Sequence, residues 1–128
     1  MITRYAAQQN AAATPREIEL RAFRYVNGLL TAAVDVPSRA AALHKTHQLW
    51  SLLLSDLTLP GNALPADLKG KLVSLSLWAQ REAAARLDDG GSLAPLLELH
   101  RDMIAGLEAQ GGVASHGRPS PSFVPAAV

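Results

Sequence analysis

Residues 47–82 read HQLWSLLLSDLTLPGNALPADLKGKLVSLSLWAQRE, and the reading of this stretch decides the fold. Two apolar runs flank the connection Leu59-Pro60-Gly61-Asn62-Ala63-Leu64-Pro65, and each run carries one of the chain's two tryptophans, Trp50 and Trp78. Pro60-Gly61-Asn62 is turn chemistry, and Pro65 suits the first turn of a following helix, where its missing N–H is no loss. Asp67 then falls in that first turn, where a carboxylate interacts favourably with the helix dipole. The stretch therefore predicts an antiparallel helical hairpin.

Outward from the hairpin, each side supplies one further helix. Thr14-Pro15-Arg16-Glu17 is a capping-box start, with Pro15 at the first helical position. The helix it opens is expected to reach about Ala33, through Ile18, Ala22, Phe23, Val26, Leu29 and Leu30. Gly28 inside it weakens the helix by about 1 kcal/mol relative to alanine, which suggests close packing there. Asp35-Val36-Pro37 breaks the pattern, and Ser38 is read as the next cap. On the hairpin's first helix Leu43, His47, Trp50, Leu54 and Leu57 fall on one stripe. On its second, Leu68, Leu72, Leu75 and Ala79 do so. Asp88-Asp89-Gly90-Gly91 ends the hairpin and Ser92 caps a last helix. Its stripe is Leu93, Leu96, Leu97, His100, Met103, Ile104 and Leu107, and Gly111-Gly112 is expected to stop it. The organisation is a loose or helical arm over 1–13, a helical domain over 14–110 and a disordered tail over 111–128 with three prolines. The fold class is all-α, a small single-domain bundle of about four helices around a central antiparallel hairpin.

Composition agrees. The 128 residues suffice for one domain, 48% are hydrophobic and only 5% aromatic, and the Leu and Ala that dominate favour helix over sheet. A formal net charge of +1 argues against a large footprint on nucleic acid or anionic lipid. The basic Arg4, Arg16, Arg21 and Arg24 lack an interleaved aromatic platform beyond Tyr5, Phe23 and Tyr25. There is no cysteine, hence no disulfide framework or thiolate nucleophile. With neither a secretory signal at the start nor an apolar run near the ~20 residues that span a bilayer, a soluble cytoplasmic protein without membrane contact is expected.

Chemistry is sparse. His44 and His47, at i and i+3, share a helical face, but no further ligands accompany them. The simpler reading is that His47 is partly buried on the core stripe and His44 is solvated. His100 reads as a hydrogen-bonded helix–helix contact. Arg81-Glu82 and Asp56 form an acid–base constellation only if the fold brings them together. No phosphate loop, nucleophile elbow or carboxylate pair is present. No enzyme activity, metal or cofactor is expected. One feature asks for a functional reading: both hairpin helices exceed the ~100° apolar arc of a surface helix. Either a central helix touches neighbours on two sides, or a groove receives an amphipathic helix of a partner. The residues in question are Leu49, Trp50, Leu52, Leu53, Val73, Leu77 and Trp78.

Pro15-Arg16-Glu17 with Glu19, Leu49-Trp50, Asp56-Leu57, Asn62-Ala63-Leu64-Pro65, Leu68, Leu72, Ser74, Trp78 and Arg81-Glu82 together resemble the bacterial FlaF family. Leu96-Leu97-Glu98 and Ile104-Ala105-Gly106-Leu107 in the last helix add to this resemblance, which covers about residues 5 to 107. His100 stands where the family pattern suggests asparagine, and the tail lies outside it. The resemblance implies a flagellar biosynthesis regulator needed for flagellin synthesis or secretion. It implies an export chaperone that binds flagellin and works beside the flagellin regulator FlbT and the flagellar export apparatus. The alternative it leaves open is a post-transcriptional regulator of flagellin expression, acting through RNA or through another protein such as FlbT.

Overall fold

The computed structural model describes residues 13–115, and these form four helices with no strand among them. They are α1 (Pro15–Thr31), α2 (Val36–Leu57), α3 (Ala66–Asp89) and α4 (Ala94–Ser115). The expected all-α architecture is present. The arm over 1–12 and the tail from 116 onward lie outside the described residues.

Local chemistry accounts for each helix start. At α1 the Thr14 hydroxyl accepts from the Glu17 N–H at 3.1 Å, and the Glu17 carboxylate accepts from the Thr14 N–H at 2.9 Å, the reciprocal box the sequence encodes. At α2 the cap is Asp35, not Ser38 as expected. The Asp35 carboxylate accepts the Ser38 N–H at 2.9 Å, and the Ser38 hydroxyl accepts the Asp35 N–H at 3.2 Å. Ser38 is thus the third-residue partner of a box opened by Asp35, and Pro37 sits harmlessly in the first turn. The hydrogen bonds from the Ser38 side chain and backbone hold the Asp35 carboxyl below its ordinary pKa. Helix α3 starts at Ala66, and Pro65, expected in its first turn, stands one position earlier as the N-cap and supplies no side-chain hydrogen bond. Asn62 organises the joint instead. Its Oδ1 accepts the Leu64 N–H at 3.1 Å, its Nδ2 donates to the Asp56 carbonyl at 3.2 Å, and its own carbonyl receives Lys69 Nζ at 3.0 Å.

Helix α3 ends as expected on Gly90, whose φ of 66° is left-handed and whose N–H donates to the Arg86 carbonyl at 3.2 Å. The guanidinium of Arg39 on α2 donates to the carbonyls of Gly91 and Arg86, securing that end. Ser92 accepts the Ala94 N–H at 3.0 Å before α4. The stop expected at Gly111-Gly112 is absent, for α4 continues to Ser115. A glycine ends a helix by taking a left-handed conformation, and among the described residues only Gly90 has positive φ.

Helices α2 and α3 pair most extensively, α1 packs on both α4 and α2, and α3 meets α4 only slightly. The buried stripe of α2 runs Leu43, Trp50, Leu57 at seven-residue steps. At ~100° per residue, Thr46 lies about 40° to one side of Trp50 and His47 about 60° to the other. Thr46 is the one buried, and its hydroxyl donates to the Ala42 carbonyl at 2.9 Å, which satisfies it locally. His47, expected to be partly buried, is exposed, as is His44. The expected close packing at Gly28 is also absent, since a Cβ there would meet nothing within 4 Å.

Candidate functional site

One side chain of the hairpin reaches all three other helices. Trp50 is completely buried and bonds or packs to every other helix. Its indole Nε1–H donates to His100 Nε2 of α4 at 2.9 Å, and its backbone carbonyl accepts the Ser76 hydroxyl of α3 at 2.8 Å. Phe23 of α1 stands edge-on to the indole, with centroids 5.4 Å apart and an interplanar angle of 71°, a favoured aromatic geometry. The imidazole and indole are 20° from parallel with centroids 6.0 Å apart, so the bond runs edge to edge between nearly coplanar rings. Because Nε2 accepts, the neutral ring carries its proton on Nδ1, and that buried atom has no partner among the described residues. Burial lowers the His100 pKa from 6.5 to about 4, since the charged form is poorly solvated there. The expected helix–helix role for His100 is what the structure shows.

The sequence-predicted surface splits. Leu52 and Leu77 are exposed, at 64% and 42%, while Leu49, Leu53, Val73 and Trp78 are half-buried at the margin of the core. Trp50, expected at the rim of a groove, is a correction: it lies wholly inside. The seven-residue repeat with Leu43 and Leu57 places it at the centre of the buried arc, whereas Leu52 falls about 160° away on the outer face. Leu59 in the joint and Leu87 near the end of α3 add exposed apolar surface at 55% and 40%.

Arg81-Glu82 and Asp56 are not brought together. The Trp50–Ser76 contact fixes the antiparallel register, and at 1.5 Å per residue Glu82 and Asp56 lie about 18 Å apart along the hairpin. Glu82 pairs instead with Arg86 one turn on, at 3.4 Å. Among the described residues no group of three or more His, Cys, Asp or Glu is placed to hold a metal ion, and no helix is long and apolar enough to cross a membrane.

A cavity of about 140 Å³ opens where α1, the end of α2, the hairpin joint and the end of α4 converge. Its apolar floor includes Phe23, Leu57, Leu72, Met103 and Leu107, and its polar rim comprises Arg16, Glu19, Asp56, Asn62 and Gln110. Burial raises the Glu19 pKa, Arg16 offsets part of this, and the charge on Asp56 raises it further. Sequence reasoning missed this site, although Arg16, Glu19, Asp56, Leu57, Asn62, Leu64, Leu72 and Leu107 all belong to the family-like pattern. Their pattern marked them as a set without showing that they share a cavity.

Four helices fastened to one interior tryptophan, with an apolar-floored cavity at one end, define a small helical-bundle domain. A family model described as flagellar protein FlaF matches residues 1–107, and the chain belongs to that family of flagellar proteins. No curated protein and no solved structure matches the chain.

Proposed function

We propose that this flagellar protein is a non-catalytic, flagellin-binding export chaperone that covers an amphipathic segment of its client with the outer face of the α2–α3 hairpin. The observation that carries the reading is the exposure of Leu52 and Leu77 on helices whose core stripes are already complete without them. Large apolar side chains beyond what a core needs favour a partner surface, and an amphipathic helix laid against such side chains is a recurring mode of recognition. An unassembled subunit whose helical segments fold only in the filament exposes stripes of this kind. Binding would order them at a cost of a few kcal/mol, which the apolar contact must exceed. Half-buried Leu49, Leu53, Val73 and Trp78 shoulder the exposed leucines.

The test is titration calorimetry of the full chain against flagellin of its own organism, with and without the flagellin terminal segments. Binding is expected to need the terminal segments and to weaken at least tenfold in the Leu52→Asp, Leu77→Asp double variant, whose exposed positions should leave the helical signal intact. Undiminished binding by the folded double variant refutes the surface. Salt-sensitive RNA binding, or capture of FlbT without flagellin, would place the protein in expression control instead.

A further inference from the structure

The cavity at the α1–α2–α4 junction joins an apolar floor to a rim of charged and amide side chains. Two carboxylates, Glu19 and Asp56, and one guanidinium, Arg16, line it, and among the described residues Arg16 is within ion-pair distance of neither, so the rim keeps one negative charge in excess. The third acceptor is Gln110, only 8% exposed, whose Oε1 is buried with no donor. A buried acceptor left without a donor destabilises the fold, so a donor entering the cavity removes a standing penalty. The end of α2 adds to the same field. Its last turn holds no basic residue and carries Asp56, a carboxylate at the negative end of the helix dipole.

We infer that this cavity receives a lysine side chain presented by a partner protein. The aliphatic stem lies along the apolar floor that includes Phe23, Leu57 and Met103, and the ammonium directs its three donors to Glu19, Asp56 and Gln110. Lysine fits better than arginine, because a compact ammonium on a flexible stem suits three separate acceptors, whereas a guanidinium fork seeks one bidentate carboxylate. Its lining shares Leu53 with the proposed client surface but includes neither Leu52 nor Leu77, so the Leu52→Asp, Leu77→Asp variant tests that surface without altering the lining of this cavity.

The test uses the full chain, labelled with ¹⁵N and titrated by NMR with Nα-acetyl-lysine N-methylamide. Saturable shifts are expected at the amides around Glu19 and Asp56 and at the side-chain amides of Asn62 and Gln110. Affinity should fall at least tenfold for the norleucine analogue, which keeps the stem and lacks the ammonium. It should fall similarly in Glu19→Gln and in Asp56→Asn, each checked for an unchanged circular dichroism melt. Equal binding of the norleucine analogue, binding indifferent to both substitutions, or no saturable shift overturns the assignment. Cadaverine binding more than tenfold tighter than the capped lysine would also overturn it, by naming a free diamine as the ligand.

Discussion

Replacing Trp50 by Phe tests whether one polar contact inside an apolar bundle stabilises the fold or merely tolerates its surroundings. The substitution keeps the aromatic edge contact with Phe23 but deletes the donor that His100 Nε2 receives at 2.9 Å. An acceptor left buried and unpaired costs about 1–3 kcal/mol, and the space vacated by the larger ring adds about 1 kcal/mol more. A loss of about 2–4 kcal/mol is therefore expected, a large part of the 5–15 kcal/mol typical of a domain. His100→Leu orphans the indole N–H instead, but it also removes the Nδ1 that is already buried without a partner. Its expected cost is about 1–2 kcal/mol. In the double variant no ring nitrogen remains to be satisfied, so the combined loss should fall short of the sum by about 1–2 kcal/mol. Urea unfolding followed by circular dichroism, which does not depend on the indole, measures all three. A coupling within 0.5 kcal/mol of zero would refute the claim that the bond matters energetically.

Further expectations follow from the same geometry. Between pH 6.5 and about 4 the unfolded chain binds a proton that folded His100 refuses. This contribution is therefore fully present above 6.5 and diminishes as pH falls, by about 3 kcal/mol at pH 4. His100→Leu should flatten that part of a stability–pH curve, and an unchanged slope would exclude His100 as its cause. Gly90→Ala forces a left-handed φ of 66° on a residue with a Cβ and should cost about 1–2 kcal/mol by urea unfolding. Gly28→Ala, in the open interior of α1, should raise stability by about 0.5–1 kcal/mol in the same assay. Arg39→Ala removes the guanidinium that binds the carbonyls of Gly91 and Arg86. It should cost about 1–2 kcal/mol, and hydrogen exchange should show the last turn of α3 opening first.

What could be read in advance was local in origin. The capping box at Thr14 and the left-handed exit at Gly90 depend on residues within a few positions of one another. The hairpin joint is as local, and its two flanking runs are long enough to show their period. Where the reading slipped, the competing choices were also local and nearly balanced. Asp35 and Ser38 are both good caps, and both take part, with the aspartate outermost. Thr46 and His47 both border the stripe of α2, and a threonine that bonds its own helix is easier to bury than an imidazole with two nitrogens to satisfy. The partner of Trp50 lay beyond sequence reading because His100 is fifty residues away, and only the packing of α4 brings it within 2.9 Å. The cavity was hidden for the same reason, since Glu19, Asp56, Asn62 and Gln110 belong to four different segments.

The unequal settings of the two tryptophans give the hairpin a built-in optical readout. Trp50 is sealed from water and Trp78 is only half covered. An indole emits further to the blue, and is quenched less by acrylamide, when water cannot reach it. Native emission therefore has an inaccessible component from Trp50 and an accessible one from Trp78. A client laid over the hairpin margin should protect the second and leave the first unchanged, whereas loosening of the bundle would expose both. Quenching curves of the unlabelled protein can thus distinguish docking on its surface from opening of its interior.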